Sequence, residues 1–304
     1  MDSPLISIIL ATYNRSNVLF FTICSIIEQS YSNWELIVVG DCCTDNTQEV
    51  VSAFEDSRIQ FINLPENFGE QSGPNNEGLK KARGPFIAFM NHDDLWFQDH
   101  LQVCLDSLRQ KQADLMLAAG IIDYTDGKKF DISGLPSRQH GFHPARLFVP
   151  ASNWLFRKEL IQEVGFWRPA RDLYLVPSHD WLERVHKLGK KIAFTEQITV
   201  LALPSSSRRN AYLDRAYLEN EKYYQQVKHN SRFREQLLTQ ILFEWGQDHY
   251  YDEKVYLRRF FRRKIKSLLI SFGINSTELR SRYTFGKGGI LRLYRQRRGL
   301  APKD

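Results

Sequence analysis

No run of 18 or more apolar residues occurs in this 304-residue chain, so a transmembrane helix is not expected. The first residues carry neither a basic n-region nor a cleavage pattern, so a signal peptide is not expected either. Cysteine is scarce and poorly spaced. Cys24, Cys42, Cys43 and Cys104 form no C-x-x-C pair, and the adjacent Cys42 and Cys43 suit neither a zinc site nor a routine disulfide. Reduced thiols in a cytoplasmic protein are the expectation. Internal repeats and low-complexity tracts are absent. No phosphate-loop lysine motif and no G-x-G-x-x-G follow the first apolar run, which weakens the P-loop and dinucleotide-binding readings.

The charge that is present is unevenly placed. Residues 211–304 hold 20 Lys and Arg against 10 Asp and Glu, so this part is about +10 in a chain of net +6, and the first 210 residues are about −4. Strand-like runs are also concentrated in the first part, whereas the second is rich in helix formers and aromatics. The spacing predicts an α/β catalytic domain over 1–205 and a basic helical extension over 206–304. Within the extension, residues 256–270 form a basic amphipathic helix of the kind that lies on an anionic membrane surface. An ordinary solvated helix is the competing reading. Nucleic acid is not expected as a partner, because no fingerprint of a nucleic-acid-binding module accompanies the charge.

Apolar runs at 5–10, 36–39, 59–62 and 85–90 alternate with polar turns and helical spacing, for example Leu19, Ile23, Ile26 and Ile27. Strand, polar turn and helix repeated in this way predict a parallel sheet. Ligands of such sheets bind beyond the carboxyl ends of the strands. Thr12, Tyr13, Asp41, Asn76, Asp93 and Asp94 all fall at that edge. The sequence Asn91-His92-Asp93-Asp94 directly follows the fourth run. Adjacent carboxylates repel, and a hard divalent cation bridging to phosphate gives them a reason to sit together. The competing reading makes Asp93 or Asp94 the cap of a helix starting at Trp96. Further along, Trp181, Leu182, Val185 and Leu188 have helical spacing with Gly189 as a stop, which puts Asp180 in the first turn.

In order along the chain, Leu5 to Asn14, Gly40-Asp41 with Thr44-Asp45, Asn67-Phe68-Gly69, Asn76 with Gly78, Ala82-Arg83-Gly84 and Asn91 to Asp94 resemble family 2 glycosyltransferases. The resemblance covers roughly residues 4–205. It implies an α/β, GT-A-type fold (a Rossmann-like mixed sheet flanked by helices) and an inverting transfer from a nucleotide sugar. It also implies Tyr13 beside a uracil, Asp41 bonded to the base, and Thr12 and Asn76 at the donor. Asp93 would lie on the ribose or order the loop, Asp94 would hold Mn2+ or Mg2+ on the diphosphate, and Asp180 would be the catalytic base. Two departures stand out. Gly40-Asp41-Cys42-Cys43 replaces Asp-Asp-Gly-Ser, and Asn91 stands where the acidic motif often opens with a further Asp.

A nucleotide diphosphate sugar needs a π-surface, an acceptor for the imide N–H of uracil, and a cation. Those needs agree with the roles above, while each residue also has a plainer reading as loop packing, turn acid or first-turn Asp. Arg208 and Arg209, in the polar segment after residue 204, suit either a lid on the leaving diphosphate or a linker. Residues 114–123, 128–132 and 150–156 read as strands, and 158–164 as a helix. The expected activity is metal-dependent transfer from a UDP-sugar to a saccharide or lipid-linked saccharide, in surface polysaccharide or glycolipid assembly at the cytoplasmic membrane face. The alternatives are a nucleotidyltransferase, which lacks its Gly-rich basic loop here, and a nucleotide-sugar-binding protein without turnover.

Overall fold

The computed structural model describes residues 3–124, 129–137, 141–214, 219–251, 253–301 and 303, apart from the side chains of 248–251, 253–256 and 259. Lys128 of the strand expected at 128–132, and the side chains of Tyr256 and Arg259 of the basic helix, fall outside the described residues. The first half follows the alternation in the sequence. Strands β1 (Ile6–Thr12), β2 (Trp34–Gly40), β3 (Ile59–Asn63) and β4 (Phe86–Asn91) are separated by helices α1 (Ser16–Ile27), α2 (Thr47–Ser52) and α3 (Ser72–Lys81). These four strands run parallel in the order β3-β2-β1-β4. Their runs are almost uninterruptedly apolar because both faces are covered. Ile8, Leu10, Leu36 and Val38 enter one core cluster, while the alternate Ile9, Ile37 and Val39 enter another.

Next come β5 (Leu95–Trp96), α4 (His100–Gln110), β6 (Leu115–Asp123), β7 (Phe130–Ser133), β8 (Trp154–Arg157), α5 (Leu160–Val164), α6 (Pro177–Lys187) and β9 (Ile192–Ala202). The sheet continues β4-β8-β6-β9-β5, with β7 added on β6. Strand β8 is antiparallel to β4 and β6, and β9 is parallel to β6, so the sheet is mixed. Two expectations are corrected here. Trp96 is a strand residue and the following helix starts at His100, so neither Asp93 nor Asp94 caps it. Residues Ala151–Asn153 form a 3-10 turn rather than the start of a strand, and the strand begins at Trp154. That turn aims Ser152 beneath the end of β4, where its hydroxyl meets Asn91 N at 3.0 Å.

Beyond residue 205 lie α7 (Glu219–His229), α8 (Phe233–Tyr251), α9 (Glu253–Ser271), α10 (Ser276–Thr284) and α11 (Gly289–Arg297). Helices α7 and α8 pack on the sheet: Tyr223, Tyr224, Phe233, Leu237 and Ile241 share a buried cluster with Leu95, Ile121 and Leu201. The aromatic residues Trp154, Trp167 and Trp181 are core residues, and Trp154 and Trp181 stack at 5.5 Å.

Candidate functional site

The carboxyl ends of β1, β2 and β4 open on a cavity of about 70 Å3 lined by Thr12, Tyr13, Asp41, His92 and Asp93 and also by Arg295 and Arg298. A cavity of about 170 Å3, lined by Phe68, Asn76, Trp167 and Arg171 among others, adjoins it. The two share Gly69, Glu70 and Arg295.

Local geometry explains why these loops hold still. Asn14, with a positive φ of 47°, accepts Thr44 N at 2.8 Å through Oδ1 and so ties the β1 turn to the β2 turn. Buried Asp41 accepts Phe68 N at 2.6 Å, Gly69 N at 2.8 Å and Asn67 Nδ2 at 3.0 Å. Burial pushes its carboxyl above the usual range, and those two backbone donors work against the rise. The altered motif at 40–43 also has a local cause. A Cβ at Gly40 would lie 2.6 Å from Asn63 Oδ1, an atom that accepts Cys43 N at 2.8 Å. An acid at position 40 would displace Asn63. Cys42 adopts φ +60°, the left-handed conformation that glycine takes without strain.

Asp93 and Asp94 separate in function because the chain turns between them. Asp94 points into the protein, 1% exposed, and accepts Leu203 N at 2.8 Å, Ser152 Oγ at 2.5 Å and Asn91 Nδ2 at 2.8 Å. Burial, then the Asp93 charge, hold its carboxyl above the usual range. Asp93 lines the cavity; its Oδ2 accepts Ser205 N at 2.8 Å. Burial would raise its pKa, but the charge of a protonated His92, then Ser205 N, Arg298 and Arg15, hold it below the usual value; at neutral pH, where His92 is uncharged, Ser205 N and the two arginines favour the anion. Burial keeps His92 neutral, with Nε2 3.3 Å from the Tyr212 hydroxyl. Asp94, the metal ligand that the resemblance implies, is buried behind its three donors and is not among the residues lining the cavity, whereas Asp93 is.

Other expected residues divide. Thr12 and Tyr13 line the cavity, and Thr12 Oγ1 is buried without a hydrogen-bond partner among the described residues. Tyr13 stacks on Tyr212 at 6.2 Å. Asn76 borders the larger cavity, but its amide is spent on both backbone groups of Trp167, each at 2.9 Å. Arg208 lines neither cavity. It is buried and paired with Glu219, with Asp123 at 4.0 Å. Arg209 is exposed and lines neither. The segment is pinned rather than free, by Ser205 N on Asp93 and Asn210 N on Arg297 O at 2.7 Å. Asp180 is in the first turn of α6, as expected, held by Arg184 at 2.9 Å with Arg168 at 3.8 Å. It borders neither cavity directly, but the loop carrying Arg168 also carries Trp167 and Arg171, which line the larger one. Sequence reasoning missed His92, Ser205, Tyr212, Arg295 and Arg298. For the two arginines the basic surplus of 211–304 was the available signal.

Among the described residues no group of three or more His, Cys, Asp and Glu could hold a metal. One ionised carboxylate facing a cavity, with its Oδ1 making no hydrogen bond among the described residues, fits a hard cation that takes its remaining oxygens from phosphate and water.

A family model described as glycosyl transferase family 2 matches residues 7–165. Among curated proteins, the chain is 37% identical over 116 residues to the UDP-Glc:alpha-D-GlcNAc-diphosphoundecaprenol beta-1,3-glucosyltransferase WfgD of Escherichia coli, covering 38% of this chain and 46% of that one. The chain spans about half the length of the first curated relatives it matches. Among solved structures, S. aureus TarS 1-349 in complex with UDP-GlcNAc matches with a TM-score of 0.57 at 19% identity, over 82% of this chain and 76% of that one. Mannosyltransferase PcManGT from Pyrobaculum calidifontis, in complex with GDP-Man and Mn2+, gives 0.52 at 14% identity, over 92% and 86%. At those identities the structures speak for the fold alone, a GT-A-type mixed sheet flanked by helices.

The anchor reading of Asp94 predicts that Asp94→Ala, which leaves two buried donors and one half-buried donor unmatched, lowers stability by on the order of 2 kcal/mol or more. Asp93→Ala should cost much less. Chemical unfolding of both variants checks this, and equal losses would contradict the division.

Proposed function

Because this chain belongs to glycosyl transferase family 2, we propose that it transfers a sugar from a nucleotide sugar, with a UDP-sugar as the expected donor, to a hydroxyl of a saccharide or lipid-linked saccharide in surface polysaccharide assembly. The observation that carries this reading is one cavity at the ends of β1, β2 and β4 that joins Tyr13, Asp41 and the ionised Asp93. Tyr13 offers a π-face to the base. Asp41 has one lone-pair site left after three accepted hydrogen bonds, enough for an imide N–H. Asp93 would hold Mn2+ or Mg2+, which when bound neutralises the diphosphate as it leaves. Asp180 would accept the proton of the acceptor hydroxyl while the hydroxyl oxygen bonds the anomeric carbon and the bond from that carbon to the nucleotide diphosphate breaks, which inverts the carbon. Arg184 and Arg168 keep the Asp180 carboxylate oriented. The name of the E. coli relative, with its UDP-Glc donor and diphosphoundecaprenol-linked acceptor, supports the donor and acceptor classes.

A membrane surface is the second element of this proposal. No helix among the described residues is long and apolar enough to cross a membrane. Helix α9 instead turns Leu257, Phe261, Ile265 and Leu268 outward, each at least half exposed, at spacings of four, four and three. Arg258, Arg262, Arg263 and Lys264 are exposed beside them, while Lys266 and Ser267 face Arg146. An apolar stripe edged by cations matches an anionic bilayer, at about 1 kcal/mol for each basic residue near the surface.

Calorimetry with UDP tests the site. Mn2+ should tighten binding to the wild type and have little effect on Asp93→Ala; a retained metal effect would remove Asp93 from the role. Asp180→Asn should keep UDP binding while transfer falls roughly 10²–10⁴-fold, the usual span for a lost general base. Undiminished transfer by a folded variant would exclude that base. For the membrane, the chain should sediment with anionic but not neutral vesicles, and Phe261→Asp with Ile265→Asp should abolish this. A wild type that ignores anionic vesicles at low salt counts against the surface.

A further inference from the structure

We infer that Arg295 and Arg298, carried by α11 and the turn after it, bind the donor diphosphate in this chain, so that the C-terminal segment completes the nucleotide site. The inference rests on the donor reading above and adds residues from outside the matched family region, which ends at 165. Three carboxylates line the smaller cavity, Asp41, Glu70 and Asp93. A diphosphate entering there needs positive charge from elsewhere. Neither Arg208 nor Arg209 lines this cavity, and α11 brings the two arginines that do.

Among the described residues neither guanidinium forms an ion pair with a carboxylate, although their charges are felt by Asp41 and Asp93 across the cavity. Among the described residues Arg298 Nε is buried with no hydrogen-bond acceptor, and it lines the same cavity as Thr12, whose buried Oγ1 likewise has no partner there. A buried donor left unmatched costs free energy, and a phosphate oxygen is the acceptor that best suits a guanidinium fork. Arg295 is 7% exposed and, among the described residues, donates only to carbonyls, Gly69 O at 2.7 Å and Ala301 O at 3.0 Å. Its bond to Gly69 lies where the two cavities meet. Cavities of about 70 and 170 Å3 are each below the roughly 300 Å3 of an ordinary ligand pocket. Exchange of the Gly69 carbonyl for a phosphate oxygen would join them.

The segment is also held where this role needs it. Backbone bonds from Gly288 N to Leu173 O at 2.8 Å, Asn210 N to Arg297 O at 2.7 Å and Tyr212 N to Arg298 O at 3.0 Å bracket α11. Tyr212, fixed by the last of these, is the ring that stacks on Tyr13. One docked strand of chain therefore presents both the aromatic wall and the cations.

The test measures binding of UDP and GDP by calorimetry, with Mn2+ and separately in EDTA, and of uridine by ligand-observed NMR. The full chain is compared with Arg298→Gln and Arg298→Lys. Arg298 is the informative position because its side chain supports no carbonyl. Arg298→Gln should weaken UDP about tenfold or more, in EDTA as well as with Mn2+, with uridine binding and melting temperature unchanged, and Arg298→Lys should recover part of the loss. Equal UDP binding by wild type and Arg298→Gln overturns the inference alone. So does a parallel loss of uridine and UDP, or a lowered melting temperature that Arg298→Lys restores without restoring UDP. A wild type that binds neither UDP nor GDP overturns the donor reading, and this inference with it.

Discussion

The site depends on one buried carboxylate. Asp94 ties the end of β4 to Leu203 after β9 and to Ser152 in the turn before β8, elements more than 50 residues away in sequence. That triangle fixes the backbone from Asn91 onward, and the next side chain back, Asp93, is thereby turned to the cavity. Thr22 adds its hydroxyl to the carbonyls of His92 and Asp94, both at 2.9 Å, so the loop is held from α1 as well. A lone carboxylate needs such support to present one fixed geometry to a cation and a phosphate, because an unrestrained acid next to a second one would turn away from it. The protein resolves the repulsion by burying one member among donors and leaving the other at the cavity.

Much of the frame was legible in the sequence because both faces of the parallel strands are covered. The runs at 5–10, 36–39 and 85–90 could be nothing but buried strands once helices separated them, and the polar residues at their carboxyl ends had to share an edge. The order of Asp93 and Asp94 was not legible. Which of two neighbouring acids faces inward depends on Leu203 and Ser152, and no local pattern connects positions that far apart. The same holds for Trp96, whose strand exists only because β9 pairs with it. Residues 151–153 carry apolar neighbours that suggest a strand, yet they form a turn whose Ser152 hydroxyl accepts Asn91 N at the end of β4.

The two arginines after residue 204 show the limit of composition. A pair of cations in a polar segment suits phosphate, but Arg208 is taken by Glu219 and Asp123, and the cations that reach the cavity come from almost 90 residues further on. The basic surplus of the C-terminal part was visible, and it divides into two surfaces. Helix α9 carries exposed charge beside an apolar stripe, whereas Arg295 of α11 and Arg298 just after it line the cavity. Net charge does not distinguish them; packing does.

The central claim is that the cavity at the ends of β1, β2 and β4 takes a nucleoside diphosphate with its cation on Asp93. Anomalous diffraction from crystals grown with UDP and Mn2+ tests it most directly. The account predicts a manganese peak at the Asp93 carboxylate, the diphosphate between that peak and Arg298, and the base against Tyr13. Manganese at Asp94, or UDP bound away from Tyr13 and Asp41, would contradict it.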